Sequence, residues 1–230
     1  MGAAATLAER LRLPFEDFAL LAQALVHSSF TNDHPQLPVS SNQRLEFLGD
    51  AVLSLVFSEA LFRLHPDDDE GTLTARRAAL VSTPGLTRFA QRIGLGEFIM
   101  LGEGAERAGE RTRPSVLESA FEALVGAVHV TFGLERTEAW LLELAGPELA
   151  ARPSAATLKS PKSRLLEAGQ AMTGRPPTYR VVSMAGPDHL RQFVVEAMIG
   201  ETAVGTGSGA SRREAETAAA ADALKRMDTK

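Results

Sequence analysis

The chain contains no cysteine, so neither a disulfide nor a thiolate metal site can hold it together. That composition suits a reducing compartment. The opening residues, MGAAATLAERLRLPF, carry no apolar run of signal-peptide length. No segment reads as the roughly 20 consecutive apolar residues that cross a bilayer. The expectation is a cytoplasmic protein without membrane association. Also missing are the HExxH zinc pair, the GxSxG nucleophile elbow and the GxxxxGK phosphate loop. Metalloprotease, α/β-hydrolase and P-loop chemistry are thereby set aside, and no organic cofactor is expected.

Lysine is absent from residues 1–158, where 13 Arg face 21 Asp and Glu. Residues 159–230 hold 11 Lys and Arg against 8 acids, so a net −8 segment precedes a net +3 segment. The overall charge of −5 argues against nucleic acid only if this asymmetry is ignored.

What is present begins with helical periodicity. Leu20, Leu21, Ala24 and Leu25 share a helical face, and a long helix is predicted from about Arg44 to Leu64, stopped by His65-Pro66. A shorter helix is predicted over Thr72–Val81. Another opens with Thr83 as cap and Pro84 in its first turn. The Gly-, Glu- and Arg-rich stretch from Gly102 to Arg113 reads as a solvated loop. Pro114 and Ser115 then open a helix to about Phe132, followed by a helix from Leu134 to Leu144. Residues 1–145 thus form an all-α domain. Residues 146–158, rich in Pro, Ala and Ser, read as a linker.

Residues 159–230 change character. A helix over 162–172, strands over Thr178–Met184, Arg191–Ile199 and Thr202–Thr206, and a final helix over Ser211–Met227 give a small α+β domain of order α-β-β-β-α. The GTGSGA run loosely imitates a dinucleotide-binding turn. Its glycine spacing is wrong, and no second parallel strand can follow.

Two helices carry chemistry. Glu46 and Asp50 are four residues apart, hence on one helix face, among Leu45, Leu48, Val52 and Leu53. Like charges in an apolar setting repel, and a hard divalent cation removes that cost. A solvated acidic stripe is the plainer alternative. The helix from Ser115 places Glu118, Ser119 and Glu122 in a second apolar setting. If the two helices face one another, their oxygens form a metal cage suited to phosphodiester hydrolysis. His27 and His129 read as packed core residues.

The run NQRLEFLGDAVL closely resembles the signature of bacterial ribonuclease III, and the resemblance continues through EGTLTARRAALV and SAFEALVGAV. It implies a homodimeric, magnesium-dependent endonuclease that cuts double-stranded RNA, leaving 5′-phosphate and 3′-hydroxyl ends, with ribosomal RNA precursors among its substrates. It implies a metal cluster at Glu46, Asp50, Ser119 and Glu122, with Asp50 and Glu122 central to catalysis. Glu70 would lie near the cleft and Phe47 in the subunit contact. The family usually has aspartate where this chain has Ser119. Three outcomes stay open: Ser119 as a weak or water-mediated ligand, Glu118 taking over, or loss of that ligand. A weakened cage would favour Mn²⁺ over Mg²⁺. A catalytically silent RNA binder is the alternative. Gln43, where many members carry glutamate, is a lesser departure.

The second segment resembles the double-stranded RNA-binding domain through SPKSRLLE, PTY, GPDH and GTGSGASRREAE. The resemblance implies RNA contacts from Lys162, His189, Ser211, Arg212 and Arg213. Such modules read A-form shape rather than base sequence.

Overall fold

The computed structural model describes residues 2–151, 160–186 and 191–228. They form two compact units that part between residues 152 and 153. The first is built from helices α1 (Ala3–Leu11), α2 (Ala19–Ala24), α3 (Ser28–Asp33), α4 (Gln43–Leu64), α5 (Glu70–Val81), α6 (Thr83–Arg92), α7 (Glu103–Arg107), α8 (Pro114–Leu144) and α9 (Gly146–Ala150). The second contains α10 (Pro161–Thr173), strands β1 (Thr178–Ala185), β2 (Gln192–Ile199) and β3 (Thr202–Gly209), and α11 (Arg212–Asp228). An all-α unit followed by an α-β-β-β-α unit is the architecture expected from the sequence.

In the first unit Phe57, Phe89 and Phe121 are fully buried and pack in a chain, with ring centroids 6.1 and 5.7 Å apart. They come from α4, α6 and α8, so one aromatic seam joins the three helices that form the core. Apolar side chains such as Leu53, Val56, Leu117, Leu124 and Val128 fill the space around it. Burial of this kind dominates the stability of the fold.

Where α4 crosses α8 the backbones nearly touch. A methyl group at Gly49 would lie 1.8 Å from the Glu122 carbonyl oxygen, and one at Gly126 would lie 2.2 Å from the Leu45 carbonyl oxygen. Only glycine permits that approach. Asn42, buried at the start of α4, receives no capping bond but ties the helix to its neighbour. Its Nδ2 donates to the Ala24 carbonyl at 3.4 Å and its backbone N–H to Val26 at 2.8 Å.

Local details correct four expectations. The cap of α6 is Ser82, whose hydroxyl accepts from the Gly85 N–H at 3.4 Å, while Thr83 is already helical. The extended backbone of Ser82 leaves its oxygen aimed into the first turn. The stretch expected as linker from residue 146 begins as α9, because Arg92 reaches across to pair with Glu148 at 2.6 Å and Leu149 packs on the core. His27 is not a packed core side chain. It caps α3, its Nδ1 accepting from the Ser29 N–H at 3.2 Å. The Gly102–Arg113 stretch is largely exposed as expected, but it is no plain loop: it holds the short helix α7 and is anchored by Arg111, which donates to the Gly96 and Ile99 carbonyls at 2.7 and 2.8 Å.

Helix α8 breaks its helical dihedrals at Gly133, with φ 78°, in keeping with the two expected helices. By length and composition it is apolar enough to cross a membrane, although no such segment was expected, and more than half of its apolar window is buried inside the unit. The acids that interrupt its apolar run hid that character in the sequence.

In the second unit β1, β2 and β3 form an antiparallel sheet in sequence order. Strand β3 extends three residues beyond its predicted end. Methyl groups at Gly205, Gly207 and Gly209 would strike α11 at 2.4, 2.1 and 2.5 Å. The alternate glycines face Ala215, Ala219 and Ala223, all fully buried. The glycine run therefore serves helix-on-sheet packing inside a strand, which disposes of the dinucleotide-turn reading.

Candidate active site and RNA-binding surface

The glycine crossing of α4 and α8 decides which acids meet. Glu46 lies one turn before Asp50 on α4, and Gly49 between them rests on the Glu122 carbonyl. Glu122 is held half-buried against α4. Burial raises its carboxyl from the ordinary 4.5 to about 7, helped by the negative charges of Asp50, Glu118 and Glu46 in that order. Carboxylates within Coulombic reach of one another, partly out of water, penalise each other's charged forms.

Ser119, one turn before Glu122, donates its hydroxyl to Glu46 Oε1 at 2.9 Å. The structure thus brings Ser119 and Glu46 into contact across the two helices and sets Asp50, Glu118 and Glu122 beside them. Glu46, Ser119, Glu118 and Glu122 are partly buried, while Asp50 is exposed. Among the described residues no three acidic or histidine side chains are already drawn into a closed metal cage. The donors offered are all oxygens, the class hard divalent cations take. Their mutual repulsion is what such a cation relieves, so the residues fit the ion.

Glu70 begins α5 and accepts from Thr74 Oγ1 at 3.2 Å. It lines a groove of about 870 Å³ with Leu55, Phe62, Leu73 and Arg77 and is not among the charges that raise Glu122. Phe47, next to Glu46, is 82% exposed. With the exposed Leu55 and Phe62 it makes an apolar row along the outer side of α4.

In the second unit Ser211 acts first as a cap for α11, its hydroxyl accepting from the Glu214 N–H at 3.2 Å. Arg213 stands exposed beside it. Arg212 Nε donates to Glu216 Oε1 at 2.9 Å, and Lys162 Nζ donates to Glu216 Oε2 at 2.6 Å. Lys162 also lies 4.8 Å above the centroid of the Tyr179 ring. The Tyr179 hydroxyl is buried and has no hydrogen-bond partner among the described residues. His189 lies outside the described residues. Glu216 closes the GTGSGASRREAE run but is not among the RNA contacts that the run implies, and its place one turn beyond Arg212 is the signal the sequence offers for it.

Comparisons with known proteins place both units in known families. A family model described as Ribonuclease-III-like matches residues 17–147, and one described as Double-stranded RNA binding motif matches residues 161–227. Ribonuclease 3 of Bacillus cereus strain AH187 and of Bacillus anthracis strain CDC 684 are each 41% identical over 219 residues, covering 95% of this chain and 89% of the relative. The nuclease domain of ribonuclease III from Campylobacter jejuni, solved at 2.2 Å, is 37% identical. It superimposes with a TM-score of 0.59 over 66% of this chain and 100% of its own. A second structure of that domain, described by flexibility in a region involved in dimer formation, is 39% identical with a TM-score of 0.58 over 63% of this chain and 97% of its own. With a family model over more than half its length and relatives of this identity along nearly all of it, the chain belongs to the ribonuclease III family.

Proposed function

We propose that this protein is an endoribonuclease that hydrolyses phosphodiester bonds in double-stranded RNA, using a divalent metal ion at Glu46, Asp50, Ser119 and Glu122. Ribosomal RNA precursors are its expected substrates, and its cysteine-free composition suits the cytoplasm. One observation carries the chemistry: a half-buried Glu122 is surrounded by three further carboxylates, with Ser119 bonded to one of them. When bound, Mg²⁺ or Mn²⁺ supplies polarisation of the phosphate and a more acidic water. The chain's own part is to hold the acids in place. Asp50 and Glu122 would hold the ion beside the scissile phosphate, and Glu46 is steered by the Ser119 hydroxyl. Glu118 stands on the flank, its negative charge felt at Glu122.

The apolar row Phe47, Leu55 and Phe62 supports a homodimer, since rings this exposed favour burial against a second copy. Paired sites then cut both strands and leave 5′-phosphate and 3′-hydroxyl ends. The second unit supplies duplex binding through Arg212 and Arg213 at the N-terminus of α11, where free backbone N–H groups also attract phosphate.

The test is incubation of a long RNA duplex with Mg²⁺ or Mn²⁺. Discrete shorter duplexes with 5′-phosphates support the reading, and a gel shift without fragments overturns it in favour of a silent binder.

A further inference from the structure

Glu216 is a poor candidate for a stabilising surface ion pair and a good one for something else. Its side chain is only 13% exposed, yet it accepts two charged donors from different helices, Lys162 of α10 at 2.6 Å and Arg212 of α11 at 2.9 Å. The Lys162 hydrogen bond holds its carboxyl below the ordinary carboxylate range, against the upward push of burial and with further help from Arg212. Lys162 cannot swing away freely, since its ammonium also sits over the Tyr179 ring on β1. One carboxylate therefore links α10, α11 and, through Lys162, the edge of the sheet. Charge-assisted bonds of this geometry fix orientation as well as adding energy.

Net charge alone gives an odd result. A unit whose partner is a polyanion keeps an acid in contact with two of its cations. A carboxylate there weakens the positive field, so a purely electrostatic account expects its removal to tighten RNA binding. We infer that Glu216 is a positioning residue of the RNA-binding unit: it clasps Lys162 as an internal strut and aims the Arg212 guanidinium at the duplex, so that Lys162 stays clasped in the complex while Arg212 and Arg213 meet phosphates. This inference rests on the double-stranded RNA reading of the second unit.

The two accounts predict opposite signs. Glu216→Gln, in the full-length chain, is compared with Glu201→Gln, which removes an equal charge from the exposed turn between β2 and β3. Duplex affinity is measured over a range of salt, and thermal melting verifies that both variants are folded. The clasp predicts that Glu216→Gln binds more weakly than wild type by about fivefold, the worth of a well-placed polar contact, while Glu201→Gln binds at least as well as wild type. Adding Lys162→Met to Glu216→Gln should cost little more, because both changes break one unit. Glu216→Gln binding as tightly as Glu201→Gln overturns the inference. A second readout needs only wild-type protein. The Lys162 ammonium nitrogen resonance should move little when duplex is added, whereas the Arg213 guanidinium should shift, and a large Lys162 shift overturns the inference even if Glu216→Gln fails to fold. Failure of wild type to bind any duplex would instead sink the functional reading. The clasp would still be read without RNA, as a change in the Lys162 resonance on Glu216→Gln that Glu201→Gln does not produce, and its absence would sink the clasp too.

Discussion

The Ser119 hydroxyl hydrogen-bonds the Glu46 carboxylate across the α4–α8 crossing at 2.9 Å. A position that usually carries a charge in this family thus contributes a neutral donor, and the donor is spent on steering a neighbouring acid. Ser119→Asp should restore a carboxylate and bring the half-saturating Mg²⁺ concentration for cleavage down, with a smaller change for Mn²⁺. Metal titrations of duplex cleavage check this. Unchanged half-saturation for both ions would mean that the serine already does what the acid does.

The glycine crossing is expected to be intolerant. Gly49→Ala puts a methyl group against the Glu122 carbonyl, where backbone, not a flexible side chain, must give way. Overpacking of this kind costs about 1–3 kcal/mol or more, and the same holds for Gly126→Ala. Urea unfolding measures the loss. Cleavage should fall further than stability explains, since the acids on the two helices move apart.

Glu122 sets a pH dependence in the metal-free protein. Its carboxyl titrates near 7 when folded and near the ordinary 4.5 when unfolded. Between those values the folded state binds more protons, so the stabilisation is complete below about 4.5 and is lost as pH rises through about 7. Wild type should therefore gain on Glu122→Gln as the pH falls from 8 to 5, read as converging melting temperatures. A divalent cation should raise the wild-type value selectively at the higher pH. Melting curves of the two proteins that stay parallel across this range would contradict the assignment.

Phe47→Ala should weaken self-association. The ring is almost wholly exposed in one copy, and removal of an anchor of that size typically costs an interface more than 1 kcal/mol. Sedimentation velocity over a concentration series should show a shift toward monomer, with cleavage of both strands giving way to nicking. An unshifted distribution would place the contact elsewhere.

Arg213→Ala should lower affinity for every duplex alike and reduce the salt slope by about one phosphate contact. Loss confined to one sequence would argue for base reading instead.

The architecture was legible because each long apolar run had a clean period and a proline, serine or glycine near its end. Pro66 ended α4 and Pro114 opened α8 at the expected places. Boundaries went wrong where a distant partner decided them. Gly146–Ala150 is held against the unit by Arg92, which lies far back in sequence. Strand β3 runs past its expected end at Thr206 through Gly207 and Gly209, and the helix lying on it explains those residues. In the site, Glu46, Asp50 and Glu122 were visible as acids in apolar settings. The destination of the Ser119 hydroxyl was not, because it depends on which turns of α4 and α8 meet. Glu216 is hard to read from sequence for a related reason: its partner Lys162 is on another helix.

The alternating glycines of β3 and the buried alanines of α11 meet with almost no side chain between them. A seam made of bare backbone has a single natural spacing and no rotamers through which to readjust. The height of α11 above the sheet, and with it the reach of the arginines at its leading end, is consequently gauged by what those positions lack. Added bulk there would lift the arginine-bearing end of α11 without changing either arginine.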